Sequence, residues 1–139
     1  MPSEPVPVVK TDLICLDLTR NALVWFGHSS YLLVNGGKTF LVDPVLTTSF
    51  PASLMMKPLK GTDISSPEDI PAVDFLIITH DHYDHLDYRT VTAIQNRVQR
   101  VVCPLGVGEH LEYWGYPSGR ITEMDWNETN YLDGVAITC

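Results

Sequence analysis

Histidine and carboxylate side chains are concentrated in one short segment of this chain. Residues 80–85 read His-Asp-His-Tyr-Asp-His and hold three of the five histidines in the sequence. Imidazole and carboxylate groups bind borderline-soft divalent ions such as zinc, and a bound ion with an open coordination position activates water for hydrolysis. The segment therefore predicts a metal centre with hydrolytic chemistry.

The spacing within the segment predicts how the ligands divide between two metal ions. In an extended backbone, residues two apart point to the same side, so His80 and His82 can bind one ion together. A turn must follow before Asp84 and His85, which then suit a second, neighbouring ion. Two ions about 3.5 to 4 Å apart share a bridging hydroxide and stabilise the oxygen charge that develops in hydrolysis. We expect a site of this dinuclear type.

The elements around the segment explain how it is positioned. Residues 73–79 form a nearly continuous apolar run rich in β-branched side chains, which predicts a buried strand. After the histidines, Asp87 can cap a helix over residues 88–96, where Val91 and Ile94 lie on one face. The ligands are thus predicted in a loop between a strand and a helix.

Other polar residues have two interpretations. Asp43 follows an apolar strand and precedes a proline, so it is either an ordinary turn residue or a carboxylate that orients a ligand histidine. His28 follows a glycine at a strand end. It either lines the pocket, which is the interpretation we prefer, or pairs with a backbone carbonyl. We expect Asp81 to point away from the ligands, and His110 to be a solvated helix residue.

The rest of the chain predicts strands early and helices later. An Asn-Gly-Gly turn at 35–37 predicts a hairpin, and residues 43–72, with five prolines, predict a long connection with one helical turn at 66–69. Trp114 and Trp126 are predicted in the core or a pocket wall. The remaining predicted strands are 23–26, 31–34, 39–42, 100–103, 121–124 and 135–138, and a second helix is predicted over 108–114.

Residues 79–85 resemble the H-x-H-x-D-H signature of the metallo-β-lactamase fold, a superfamily of mostly zinc-dependent hydrolases built as an αββα sandwich. Five further segments occur in the order typical of the branch that includes N-acyl-phosphatidylethanolamine phospholipase D and its bacterial relatives. The resemblance runs from about Leu23 to the C-terminus and implies an α/β (α+β) fold. The segments are residues 25–30, 41–44, 82–88, 102–108 and 123–126.

The resemblance also implies roles. His80 and His82 would bind the first metal, Asp84 and His85 the second, and Asp84 would orient the attacking water. The family supplies a third histidine, a bridging aspartate and a last histidine later in the chain, whereas no histidine follows His110 here. We therefore expect the N-terminal half of the sandwich, inactive by itself, with an arm and first strand over 1–22 and the domain over 23–139.

The implied function is a metal-dependent hydrolase that uses a metal-bound hydroxide on a phosphodiester or on a carboxylic ester, amide or lactone. Two zinc ions are expected, although iron and manganese accept the same ligand types. Two alternatives stay open. One is a non-catalytic metal-binding module that kept only the first motif, and the other is an iron-containing redox protein of the same fold.

Composition and charge limit the classes of partner that we expect. The net charge of −8, without a run of basic residues, disfavours nucleic acid, which leaves a small-molecule or lipid-like substrate. The start of the chain lacks a signal-peptide pattern, and three widely spaced cysteines argue against disulfides, so we expect a cytoplasmic protein. Membrane contact would be peripheral at most. The apolar residues 54–56 could make it, but a loop packed against the core is the interpretation we favour for them. A half-sandwich would leave one sheet face uncovered, which predicts a possible homo-oligomer.

Overall fold

A mixed β-sheet organises this computed structural model, which describes residues 4, 7–47 and 64–139. Within these residues, six strands form one sheet in the order of the chain, and two later strands form a separate hairpin. The sheet strands are β1 (Ala22–Gly27), β2 (Ser30–Asn35), β3 (Lys38–Val42), β4 (Val73–Ile77), β5 (Val98–Pro104) and β6 (Ile121–Met124). The hairpin consists of β7 (Thr129–Leu132) and β8 (Val135–Thr138).

The sheet changes from antiparallel to parallel pairing at β3. Strands β1, β2 and β3 are antiparallel, and the turn between β2 and β3 uses positive φ angles of 57° at Gly36 and 78° at Gly37, which glycine adopts without strain. Strands β3 to β6 are parallel. Parallel strands need crossovers, and helices supply two of them: α1 (Tyr88–Ile94) before β5 and α2 (Val107–Tyr113) before β6.

Both helices begin and end near their predicted limits. The side chain of Asp87 accepts a hydrogen bond from the backbone N–H of Thr90, which confirms the predicted cap of α1. The predicted helix over 88–96 ends two residues early, because the chain tightens into a 3-10 helix at Gln95–Arg97. A 3-10 helix at Pro67–Asp69 confirms the predicted helical turn.

Apolar side chains lie on both faces of the sheet. The larger cluster joins the sheet to both helices and includes Leu41, Leu76, Val91 and Leu111. On the other face, a smaller cluster of Phe75, Val102 and Met124 packs against Leu132, Val135 and Ile137 of the hairpin. The sheet is therefore covered by helices on one side and by the hairpin on part of the other side.

Two expectations differ from the structure. Strand β7 was not predicted, because its residues 129–132 are mostly polar and their alternation is weak over four positions. Trp126 is 83% exposed in the turn before β7, so its predicted place in the core or a pocket wall is wrong, whereas the partly buried Trp114 packs against the larger cluster. Part of the predicted connection over 43–72, including residues 54–56, lies outside the described residues.

Candidate metal centre

The predicted ligand segment lies at the C-terminal edge of the parallel strands. Past the end of β4, the N–H of Ile78 donates to the carbonyl of Val102 at 3.0 Å, which ties the start of the loop to β5. The chain then turns, since the N–H groups of His85 and Leu86 both donate to the carbonyl of His82, at 2.9 and 2.7 Å. Buried Leu86 and Asp87 anchor the far end of this loop.

Four of the five histidines form one cluster at this edge. The ring centroids of His80 and His85 are 3.8 Å apart, those of His80 and His82 are 4.7 Å apart, and those of His28 and His85 are 5.1 Å apart. His28 reaches the cluster from the turn between β1 and β2, where its φ is 46°. The fifth, His110, is exposed on α2 beside Trp114.

Asp43 is a buried carboxylate at the centre of the hydrogen bonding. It accepts hydrogen bonds from the backbone N–H and the hydroxyl of Thr79, at 2.8 and 2.6 Å, and its Oδ2 lies 2.8 Å from Nδ1 of His85. An ionised carboxylate only accepts, so a neutral His85 has its proton on Nδ1 and a lone pair on Nε2. This geometry matches the ligand-orienting interpretation of Asp43, whose role stays a prediction.

The Thr79 hydroxyl fixes the tautomer of a second histidine in the same way. Its oxygen lies 2.9 Å from Nδ1 of His80, and its single proton is already donated to Asp43. The hydroxyl must therefore accept from His80, which places the His80 proton on Nδ1 and again frees Nε2. One buried carboxylate thus sets the tautomer of two candidate ligands.

The backbone at Asp43 is held in an uncommon conformation. Its φ is 40°, in the left-handed region that costs a non-glycine residue on the order of 1 kcal/mol. Two hydrogen bonds hold it there: the N–H of Asp43 donates to the carbonyl of Ile77, and the Ser30 hydroxyl donates to the carbonyl of Asp43 at 2.6 Å. The structure therefore stabilises a strained residue directly beneath the histidine cluster.

Within the described residues, the ligand atoms approach one another in two groups of three. His28, Asp84 and His85 form one group, and Asp43, His80 and His85 form the other, with all ligand atoms of a group within 4.8 Å of one another. Nε2 of His28 lies 3.4 Å from Oδ2 of Asp84. His82, which is exposed, belongs to neither group, although its ring neighbours that of His80.

The donor chemistry of these groups fits a divalent transition-metal ion. Imidazole nitrogens with free lone pairs and a carboxylate that is one quarter exposed are the ligands that zinc and non-haem iron accept. Neither group of candidate ligands includes a cysteine. All three are free thiols, and burial, assisted by the Glu123 carboxylate, raises the pKa of the Cys103 thiol to about 12.

Sequence reasoning overlooked two residues that shape the site. Thr79 ends the predicted strand and opens the 79–85 motif without a role of its own, although a hydroxyl directly before the first histidine is a signal for one. Glu123 was part of a quoted motif without a role, yet its Oε1 accepts hydrogen bonds from the N–H groups of Gly106 and Gly108. The loop that it contacts borders His80.

Comparison with known proteins places this chain in a family. A family model described as "Beta-lactamase superfamily domain" matches residues 38–139. An uncharacterized protein of Mycobacterium tuberculosis is 40% identical over 144 residues, which cover 99% of this chain and 38% of that protein. An N-acyl-phosphatidylethanolamine-hydrolyzing phospholipase D of Caenorhabditis elegans is 34% identical over 118 residues, or 76% of this chain and 32% of that protein.

Similar proteins differ in their named chemistry. A protein of Aeropyrum pernix named a metal-dependent hydrolase is 41% identical over 63% of this chain and 31% of its own length. The crystal structure of CmlA, a diiron β-hydroxylase from Streptomyces venezuelae, superposes with a TM-score of 0.58 at 31% identity, over 79% of this chain and 22% of that one. This chain spans about two fifths of the length of the mycobacterial relative, and about one third of the lengths of the phospholipase and of the Aeropyrum protein.

No helix among the described residues is long and apolar enough to cross a membrane. The chain therefore belongs to the β-lactamase superfamily and has its metallo-β-lactamase-like α/β fold, and its relatives include metal-dependent hydrolases.

Proposed function

We propose that this chain supplies part of the metal site of a hydrolase. The observation that carries the proposal is the arrangement at Asp43, which accepts a hydrogen bond from Nδ1–H of His85 directly and orients Nδ1–H of His80 through the Thr79 hydroxyl, so that both Nε2 atoms are free to bind a metal. Hydrogen bonding of this kind fixes ring orientation and raises ligand basicity.

Each residue has a distinct role in this proposal. His80 and His82 would hold one zinc ion, and Asp84 and His85 the other, with His28 at the pocket edge beside Asp84. When bound, such ions supply Lewis-acid activation of water at neutral pH. Asp84 orients the attacking water through its carboxylate and accepts its proton, and Asp43 keeps His85 in the required tautomer.

The substrate and the setting are part of the same proposal. A phosphodiester is our first choice because of the similarity to the phospholipase, and a carboxylic ester, amide or lactone is the second. Nucleic acid is not an expected partner, since the chain carries 17 acidic and 9 basic residues. Three free cysteines support a reducing, cytoplasmic location.

The test combines metal content with turnover. This chain alone is expected to be inactive, so the variants are made in the full-length protein. There we expect His82→Ala and Asp84→Asn to lower the zinc content, and to lower hydrolysis of bis(p-nitrophenyl) phosphate and p-nitrophenyl acetate by about 100-fold or more. His110→Ala is the matched control, because His110 is an exposed histidine outside the cluster. Wild-type turnover in H82A and D84N, or equal losses in H110A, would refute the assigned roles.

A second candidate function follows from the likeness to the diiron β-hydroxylase structure. Histidine and carboxylate ligands accept iron as well as zinc, so the same residues would hold a redox centre. Elemental analysis of the purified protein and its visible absorption spectrum distinguish the hydrolase from the redox protein. Zinc without visible absorption supports the hydrolase, and iron with a visible band supports the oxygenase.

A further inference from the structure

We propose that His28 is a ligand of the second metal ion, together with Asp84 and His85. The inference rests on the proposed metal site and deepens it, because His28 comes from a different part of the chain and lies outside the ligand set that the resemblance implies. The ligand of this site is a divalent transition-metal ion, held by two imidazole nitrogens and one carboxylate.

The donor atoms of these three residues lie close enough to share one ion. All of them are within 4.8 Å of one another, and Nε2 of His28 is 3.4 Å from Oδ2 of Asp84. This separation is longer than a good N–H···O hydrogen bond, which is about 2.7 to 3.2 Å. Two donors bound at about 2.1 Å to one tetrahedral ion are roughly 3.4 Å apart. His28 and Asp84 thus have the spacing of two ligands rather than of a hydrogen-bonded pair.

The other group of donors, Asp43, His80 and His85, has a different explanation. Both oxygens of the buried Asp43 already accept hydrogen bonds. Its Oδ1 accepts from the N–H of Thr79, and its Oδ2 accepts from the Thr79 hydroxyl and from Nδ1 of His85. Hydrogen bonding therefore accounts for the close approach of these residues, and Asp43 is not needed as a ligand.

The side chains of His28 and Asp84 are available to a metal ion. The hydrogen bonds found among the described residues include none from the His28 ring and none to the Asp84 carboxylate. The side chain of His28 is 53% exposed and that of Asp84 is 25% exposed, whereas that of His85 is 13% exposed. The site is therefore open to solvent on the His28 side, which leaves room for the water that a catalytic ion binds in its open position.

The turn between β1 and β2 holds His28 in an uncommon conformation. Its φ of 46° lies in the left-handed region that few non-glycine residues adopt. The indole N–H of Trp25 donates to the carbonyl of His28 at 2.9 Å, and the pairing of β1 with β2 shifts register between Trp25 and Gly27. Irregularities of this kind redirect side chains next to active sites. The end of β1 therefore turns His28 toward Asp84.

Ser30 connects this turn to the rest of the metal centre. Its hydroxyl donates to the carbonyl of Asp43 at 2.6 Å and accepts from the N–H of Val45 at 3.0 Å. The side chain of Asp43 in turn orients His85. The turn that carries His28 and the ring of His85 are thus attached to the same buried residue, which fixes their relative position before a metal binds.

NMR of the imidazole rings in the full-length protein tests whether His28 binds the metal. The histidines are labelled with ¹⁵N, and the ring nitrogens are followed while zinc is added. Coordination uses the lone pair of a ring nitrogen and moves its resonance. We therefore expect Nε2 of His28 and Nε2 of His85 to shift together, with the same equivalent of zinc. His110, which is exposed outside the cluster, is the internal control and should not shift.

Replacement of His28 tests the contribution of this ligand to affinity. His28→Gly removes the imidazole with little disturbance, because glycine adopts a φ of 46° without strain, and circular dichroism of the metal-free protein checks the fold. In competition with a chromogenic chelator, H28G should bind one equivalent of zinc about 100-fold more weakly or worse, since even residues that only orient a ligand contribute about 10-fold to 100-fold. The affinity for the other equivalent should change by less than about tenfold. His110→Ala is the matched control and should change neither affinity.

The outcomes distinguish failure of this inference from failure of the proposed function. If zinc moved the His85 resonance but not that of His28, or if H28G bound both equivalents like the wild type, His28 would not be a ligand and the hydrolase would stand. If zinc moved neither resonance, both proposals would be wrong. Joint shifts in a protein that hydrolyses neither chromogenic ester would support the ligand set and contradict the hydrolase.

Discussion

At the scale of single residues, two aspartates use the same hydrogen-bonding pattern at opposite ends of β4. Asp43 accepts from the backbone N–H and hydroxyl of Thr79 beside the histidines. Asp74, at the start of β4, accepts from the N–H and hydroxyl of Thr39, each at 2.9 Å. Only Asp43 also contacts a candidate metal ligand. A comparison of the two aspartates therefore distinguishes an effect on stability from an effect on the orientation of that ligand.

Replacement of Asp43 is predicted to weaken metal binding. In Asp43→Asn, the side chain loses the charge that attracts the His85 Nδ1–H, so His85 loses its fixed tautomer. We expect zinc affinity to fall by about 10-fold to 100-fold, the usual effect of removing a residue that orients a metal ligand. Competition with a chromogenic chelator measures this affinity.

Asp74→Asn is the matched control for this prediction. It removes the same kind of carboxylate from the same kind of threonine contact, away from the histidines, so it should lower stability while leaving zinc affinity within about twofold of wild type. Equal loss of zinc affinity in both variants would mean that Asp43 acts through general stability alone.

At the scale of elements, Asp74 joins β3 to β4 where parallel pairing begins. Besides Thr39, it accepts a hydrogen bond from the ammonium group of Lys38 at 3.0 Å, and both partners belong to β3. Burial alone would raise the pKa of Asp74, but hydrogen bonds from Thr39 and Lys38 outweigh burial and lower it below its ordinary value. The fold therefore favours the charged form.

This shift predicts how acid affects the strand junction. A carboxyl group with a lowered pKa in the folded state contributes stability above its unfolded pKa of about 3.9, and loses that contribution as pH falls through the folded value. The difference in unfolding free energy between wild type and D74N should therefore be largest near neutral pH and shrink below about pH 4.

Urea unfolding at a series of pH values measures this difference. Glu112→Gln is the control, because it shows how stability changes when a carboxylate is removed from an exposed helix position. If the D74N difference stayed constant from pH 7 to pH 2, the ionised form of Asp74 would not contribute to the junction.

At the scale of the whole molecule, the uneven covering of the sheet is the main feature. The hairpin of β7 and β8 packs against the Phe75 cluster, but Leu23 and Trp25 on β1 are 61% and 58% exposed. These two residues are two apart, so they lie on the same face of a strand at the sheet edge. Among the residues that the structure describes, no strand pairs with the outer edge of β1, and exposed apolar groups beside such an edge favour association.

We predict that this chain self-associates through that face. Sedimentation velocity should show mass increasing with concentration, and Leu23→Lys should shift the distribution toward monomer by placing a charge in the contact. Tyr113→Lys is the control, because Tyr113 is exposed on α2, the helix that packs on the opposite side of the sheet. A wild-type monomer at every concentration, or equal effects of L23K and Y113K, would contradict the prediction.

Local patterns in the sequence were sufficient for the strands and helices other than β7, and for the types and spacing of the side chains in the ligand segment. The apolar run of β4, the Asp87 cap and the alternation of β1 to β3 depend on neighbours a few residues away, and so do the types and spacing of the ligands over 80–85. The metal ligand assignment itself stays a prediction, as does the division of the chain at residue 22.

Only the tertiary structure decided which residues surround that segment. Asp43 meets His85 across 42 positions, and Glu123 meets Gly106 across 17. Such contacts depend on strand order and on where the parallel strands end, and periodicity along the chain does not encode either. The sequence by itself thus determined which donor groups stand close together along the chain, whereas the fold decided which tautomers and neighbours they have.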